Sequence, residues 1–149
     1  VVGVDLSVAS LGALRWAAGE AGLHGTRLQV VRACERARRW LAPYAAHSRL
    51  NVQDDEDRAT AAAQLADAVQ AVLGPAPSIT VAMEVAEGLA ARVLLDRAAG
   101  AELLVLGGAA HAERDAIGPV ARACLRHSPC PVVVVSMERP GARAQAALR

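Results

Sequence analysis

Two groups of residues in this sequence have types and spacing that could do chemistry. The first is Asp5, the acid ending the apolar run Val1-Val2-Gly3-Val4, with the hydroxyls of Ser7 and Ser10 just beyond it. A carboxylate at the end of a buried strand can accept hydrogen bonds from a ligand, or it can cap the turn that follows. The second is the segment from Gly107-Gly108 to Gly118-Pro119. A glycine turn before a helix start lets backbone N–H groups approach a phosphate, and the helix dipole favours negative charge there. On spacing alone, two glycines and a helix start are also a plain turn and a helix cap.

The remaining reactive residue types form no constellation. Ser7 and Ser10 are read as helix caps rather than nucleophiles. Arg32, Arg36, Arg38 and Arg39 could grip a phosphate, but a charge run is first of all a solvated face. His24, His47 and His111 show no metal-ligand spacing, and His127 is read as fixing a turn. Cys34, Cys124 and Cys130 are odd in number and form no CxxC pair, which fits a reducing cytoplasm; Cys130, between two prolines, is expected to be buried. There is no GxSxG elbow, no Gly-x-x-x-x-Gly-Lys-Ser/Thr loop and no GxGxxG after the first strand, so no catalytic residue is assigned and the chain is not read as an enzyme.

These residues must be positioned by one domain, since 149 residues suit a single core. The apolar content is mostly Ala, Val and Leu, with no Phe, one Tyr and two Trp. Such a composition packs helices tightly on a sheet and argues against a base-stacking surface. A formal net charge of +1 gives no field suggesting nucleic-acid or membrane binding. No apolar run reaches the ~18–20 residues that span a bilayer, and no signal peptide is visible.

Strands are predicted at 1–5, 27–33, 78–85, 103–106 and 131–135, the buried ones as continuous apolar runs. Helices are predicted between them. The first follows Ser7 or Ser10 along Leu11, Leu14, Ala18 and Ala21, and is closed by Gly22 and Gly25. The second spans Asn51 to Leu73, with Ala62, Leu65, Ala66, Val69, Val72 and Leu73 inward and Asp54, Asp55, Glu56 and Asp57 crowding its first turn. The third runs from Gly88 to Ala99, with Leu89, Val93 and Leu94 inward. The fourth starts at Gly118-Pro119 and ends at His127, with proline at the first helical position. Residues 34–50 read as a surface loop, and 138–149 as a frayed tail beyond a domain at 1–137. Strands alternating with helices imply an α/β fold with a parallel sheet and right-handed crossovers. Ligands of such sheets bind beyond the carboxyl ends of strands where the strand order reverses.

At this point the residues resemble a family. Gly118-Pro119-Val120-Ala121-Arg122-Ala123-Cys124-Leu125-Arg126-His127-Ser128-Pro129-Cys130-Pro131-Val132 is similar to the C-terminal signature of the universal stress proteins. The start, Val2-Gly3-Val4-Asp5-x-Ser7-x-x-Ser10, and Glu102-Leu103-Leu104-Val105-Leu106-Gly107 resemble two further motifs of that family. The resemblance implies a five-stranded sheet of order 3-2-1-4-5 with helices on both faces, as in Rossmann-like nucleotide α-hydrolase folds. It implies cytoplasmic homodimers paired through strand five, here Val132, Val133, Val134 and Val135. It also implies ATP, or AMP, with Mg as the cofactor of those members that carry a Gly-x-x-Gly-x9-Gly-Ser pattern. The analogue of Asp5 lies by the adenine, and Ala33 matches a nearby position contributing backbone only.

This chain departs from that pattern. Gly107 and Gly118 match its first and last glycines, but the second glycine is Ala110, the loop is two residues shorter, and the serine is Pro119. A Cβ at 110 hinders a positive-φ turn. Pro119 removes a hydroxyl and an N–H, while the N–H groups of Val120 and Ala121 remain. Glu113 and Asp115 would repel a polyphosphate, only partly offset by His111 and Arg114. Three functions are therefore weighed: a stress-response module with a degenerate nucleotide site, acting as a dimer on an unknown protein partner; an adenine-nucleotide sensor; and a slow nucleotide hydrolase. The first is preferred.

Overall fold

The computed structural model describes residues 1–35, 47–108 and 117–136, and for 47–55 the backbone only. The elements run β1 (Val2–Gly3), α1 (Val8–His24), β2 (Leu28–Cys34), α2 (His47–Leu73), β3 (Val81–Glu87), α3 (Ala90–Ala98), β4 (Leu104–Gly107), α4 (Pro119–His127) and β5 (Val132–Val135). The strands form one five-stranded parallel sheet in the order β3-β2-β1-β4-β5, as the resemblance implies. The order reverses at β1, which lies between β2 and β4.

Two cores result from helices covering both faces. On one face α1 and α2 pack Ala13, Leu14, Ala17, Leu65 and Val69 against Val2, Val30 and Val105. On the other, α3 and α4 pack Val93, Leu94, Ala121 and Cys124 against Val31, Leu104 and Leu106. Burial without an ionic partner pushes the Cys124 thiol pKa up, as expected of an inert structural cysteine. At the far end of the sheet, Glu84 on β3 accepts from the Arg97 guanidinium of α3 at 2.9 and 3.0 Å and from Gln29 of β2 at 3.1 Å. Those hydrogen bonds, with the Arg97 charge, hold the Glu84 carboxyl below its ordinary range.

Several boundaries differ from the sequence reading. β1 is only Val2–Gly3, although the Val4 N–H extends its ladder to the Val31 carbonyl at 2.9 Å. β3 is displaced to 81–87 by its register with the whole of β2, from Leu28↔Val81 to Cys34↔Glu87. Helix α1 ends on Gly25 alone, left-handed at φ 63°; Gly22 lies inside the helix. Helix α2 starts at His47 rather than Asn51, so Asp54–Asp57 lie beyond its first turn. Among its described side chains the buried ones are Ala61, Leu65 and Val69, while Ala62 is exposed. Leu89 is the N-cap of α3 and is 64% exposed instead of inward. His127 is exposed; the turn into β5 is held by Ser128, whose Oγ accepts from the Cys130 N–H at 3.3 Å. Cys130 is half-buried rather than buried. Residues 138–149 lie outside the described residues.

One close approach fixes where α1 sits. A Cβ on Gly107 would lie 2.6 Å from the backbone of both Ala9 and Ser10, so the first turn of α1 rests directly on the end of β4. A backbone neighbour cannot rotate away. Gly107→Ala is expected to cost about 1–3 kcal/mol, while Gly108→Ala, with no neighbour nearer than 3.4 Å, stays within about 0.5 kcal/mol. Urea unfolding of the two variants measures the contrast.

Candidate functional site

The reversal of strand order opens a crevice between the carboxyl ends of β1 and β4. Its volume is ≈ 510 Å³, within the ~300–1,000 Å³ common for small-molecule sites. Gly3, Val4 and Asp5 of the β1 end form one wall, with Ala33 of β2 beside them; Gly107, Gly108 and the first turn of α4 form the other. Leu94 and Ala90 of α3 close it from below.

The β1 wall is built by a network of short-range hydrogen bonds. Leu6 adopts φ 68°, left-handed backbone that costs a non-glycine residue roughly 1–2 kcal/mol. This turns the chain so that Asp5 Oδ1 accepts from the Ser7 N–H at 2.9 Å. Ser7 is the N-cap of α1, its Oγ accepting from the Ser10 N–H at 3.2 Å. Ser10 Oγ donates to the Ser7 carbonyl at 3.0 Å and accepts from the Asp5 N–H at 3.3 Å. Both serines are thus committed to structure: Ser7 is the cap the sequence reading expects, whereas Ser10 lies inside the first turn of α1 and braces the Asp5 turn instead of capping the helix. Asp5 caps the turn and also lines the crevice. Partial burial pushes the Asp5 carboxyl up, but hydrogen bonds from Ser7 outweigh it and hold the group below its ordinary range. It is a carboxylate at neutral pH.

The described part of the opposite wall offers backbone rather than charge. Gly118 is the N-cap of α4 without a side-chain cap bond, and Pro119 occupies the first helical position. The Arg122 N–H is already bonded to the Gly118 carbonyl at 2.9 Å. The first-turn donors near the crevice are therefore Val120 and Ala121. Among the described lining residues Asp5 is the one ionisable side chain. Ala110 and the other loop residues to 116 lie outside the described residues.

Asp5, Ala33, Gly107, Gly118, Pro119 and Val120 thus meet around one cavity. Sequence reasoning missed Ala90 and Leu94 as crevice residues: it read Leu94 only as part of an inward face and did not single out Ala90. It missed Leu6 too, because a leucine gives no signal of positive φ. Arg32 is turned away, donating to the Ala61 carbonyl at 3.1 Å and to Gln64 at 2.9 Å; Arg36, Arg38 and Arg39 lie outside the described residues. No group of three His, Cys, Asp or Glu that could hold a metal occurs among the described residues, and no described helix is long and apolar enough to cross a membrane.

Because the folded pKa of Asp5 is depressed, its contribution to stability is present above the unfolded value, ~3.9, and is lost as pH falls through the folded value. Asp5→Ala is expected to cost about 0.5–1.5 kcal/mol at pH 7, solvent exposure keeping it small. The gap between wild type and variant should narrow below about pH 4. Denaturant melts at pH 7 and pH 3 measure it; an equal gap at both rules out the ionised carboxylate as the source.

Comparison with known proteins places this geometry. The family model described as the universal stress protein family matches residues 1–136. A universal stress protein of Mycolicibacterium smegmatis is 34% identical over 91% of the chain, and one of Mycobacterium tuberculosis is 33% identical over 93%. Each match covers 47% of the relative, so the chain spans about half the length of the curated relatives it matches. In fold it is similar to the universal stress protein UspA of Lactobacillus plantarum, with TM-score 0.69, 22% identity and coverage of 90% and 94% of the two chains. It is also similar to a universal stress protein in complex with cAMP, with TM-score 0.62, 20% identity and coverage of 92% and 94%. A third likeness is to the Archaeoglobus fulgidus universal stress protein in complex with dAMP, with TM-score 0.54, 19% identity and coverage of 90% and 94%. Sheet order, the motifs at both ends of the sequence and these matches agree: the chain belongs to the universal stress protein family.

Proposed function

We propose that this chain is a stress-response module, working as a homodimer on a protein partner, whose crevice takes an adenine nucleoside or nucleoside monophosphate weakly and does not retain ATP. The observation that carries the reading is the pairing of the β1 wall, with Asp5 in place, with an opposite wall whose described part, Gly107, Gly108 and the start of α4, offers few phosphate donors. The crevice is large enough for a nucleoside, and its lining is mostly aliphatic, with Asp5 as a hydrogen-bond acceptor. A base or ribose bearing N–H or O–H groups suits such a place. A triphosphate needs several cationic or N–H partners, and Pro119 withdraws one N–H while Asp5 adds a like charge. The solved relatives holding cAMP and dAMP support the monophosphate class.

The dimer reading rests on β5. The Pro131 and Val135 carbonyls accept from Leu104 and Gly108 at 2.9 Å, so the alternation of a parallel ladder directs the N–H and C=O groups of Val132 and Val134 to the free edge. An open apolar edge of this kind favours pairing with another copy. Sedimentation as a monomer at micromolar concentration would remove this part of the proposal.

The sensor reading, in which ATP binds well, is separated by one titration. AMP at about 5 mM is expected to raise Tm by roughly 2–4 °C, as for a submillimolar to millimolar Kd. ATP with Mg should give no larger shift. The combined variant Ala110→Gly, Pro119→Ser should strengthen ATP binding about tenfold by restoring donors. Protein isolated with stoichiometric bound ATP would overturn the proposal; no shift with any nucleotide would remove its ligand and leave the module.

A further inference from the structure

Helix α1 carries a feature that the crevice does not use. Its apolar residues are spread around the whole helix, whereas a surface helix normally confines them to the side facing the core. The inner side is accounted for: Ala9, Ala13, Leu14, Ala17 and Ala21 are buried. The outer side carries Val8, Gly12, Trp16, Gly19 and Leu23, which at 100° per residue fall within one narrow arc. Val8 is 66% exposed, Trp16 37% and Leu23 81%; Gly19 is exposed and Gly12 half-buried. A Cβ on Gly19 would meet nothing within 4 Å, so this glycine answers no need inside the fold, and glycine costs a helix about 0.5–1 kcal/mol relative to alanine.

The order of these residues reads as its own complement. About the midpoint between Ala17 and Ala18, the large Trp16 is placed symmetrically with the open Gly19, and Leu23 with Gly12. The flanking charges obey the same symmetry: Arg15, exposed, mirrors Glu20, half-buried. Glu20 is otherwise 3.5 Å from His24 on the same helix. Two antiparallel copies of such a helix would set each large side chain over a glycine and each Arg15 beside a Glu20. That is the requirement of a two-fold interface, where one patch must fit itself, and glycines at the contact allow a close approach of the axes.

We propose that the outer face of α1 is a self-association surface distinct from the β5 edge, on which a second copy of this chain packs its own α1 antiparallel, with Trp16 over Gly19, Leu23 over Gly12, and Arg15 paired with Glu20. A single helix pair buries less than a standard ~1,200–2,000 Å² interface, so the association is of the weak class, with a Kd of roughly 10–100 μM. It operates whether or not β5 pairs; if β5 pairs, α1 contact is the step beyond that dimer.

Sedimentation of the full chain across micromolar to about 0.5 mM tests it, with emission of Trp16 in a Trp40→Phe background as a second readout. Wild type should show a concentration-dependent association step, with Trp16 emission moving to the blue. Gly19→Leu fills the open position, and should weaken that step at least about tenfold while leaving Tm unchanged or raised, which separates lost association from lost folding. Arg15→Glu and Glu20→Arg each place like charges opposite one another, and each should weaken self-association by about tenfold. Their equimolar mixture restores opposite charges across the pair and should recover to within about threefold of wild type. A wild type without this step up to about 0.5 mM, variants that associate like wild type, or a mixture that fails to recover would each overturn the proposal; the last two would mean another surface or register.

Discussion

The seating of α1 on the end of β4 is the constraint from which the rest follows. Gly107 has no Cβ, so the backbone of Ala9 and Ser10 can occupy the volume a side chain would take. That approach brings the start of α1, and with it the Asp5–Ser7–Ser10 hydrogen-bond network, to the mouth of the strand reversal. The first glycine of the loop is therefore required by packing, independently of whether a phosphate ever approaches it.

The inner side of α1 makes the same demand over its whole length. Ala9, Ala13, Ala17 and Ala21 are small, so the helix lies close to the sheet and leaves the larger Leu14 as its main buried anchor. Close packing with small aliphatic side chains replaces the aromatic cores that this composition cannot build. The opposite layer shows a comparable economy. Gly3 leaves room for Leu94 and Leu106, whose side chains would lie 3.0 Å from a Cβ there, and these residues form part of the crevice as well as of the core. Site and core share atoms in this molecule.

How much could be read from the sequence depends on whether a local residue pattern had only one structural solution. Apolar runs ending in Asp5 and in Gly107, separated by helical patterns, left little alternative to a parallel sheet. Gly118-Pro119 marked a helix start to the residue. The strand order, by contrast, was implied by the family resemblance and not by periodicity. The face of α2 was illegible for a physical reason: alanines at 59 and 61–63 stand at every phase of the helix, so Ala61 and Ala62 could not be told apart until tertiary packing chose. Its start at His47 was hidden because His47-Ser48-Arg49-Leu50 carries no apolar period. Leu6 is the clearest case, since its positive φ is set by hydrogen bonds on either side and not by its own type.

If the crevice takes a nucleotide as proposed, its electrostatics decide which end of that ligand it favours. Along its described walls the fixed charge is the Asp5 carboxylate, held ionised by Ser7. A carboxylate attracts N–H and O–H donors, which base and ribose supply, and repels phosphate oxygens, whose charge rises with each added group. The attraction offered to phosphate at the α4 start comes from backbone donors and a helix dipole, shortened by one N–H at Pro119. Such a source acts within the first turn and can serve one phosphate group lodged there. Under the proposed reading, each phosphate added beyond the first would meet the field of Asp5 without a further donor from the described walls, unlike sites in which a full glycine loop wraps the triphosphate.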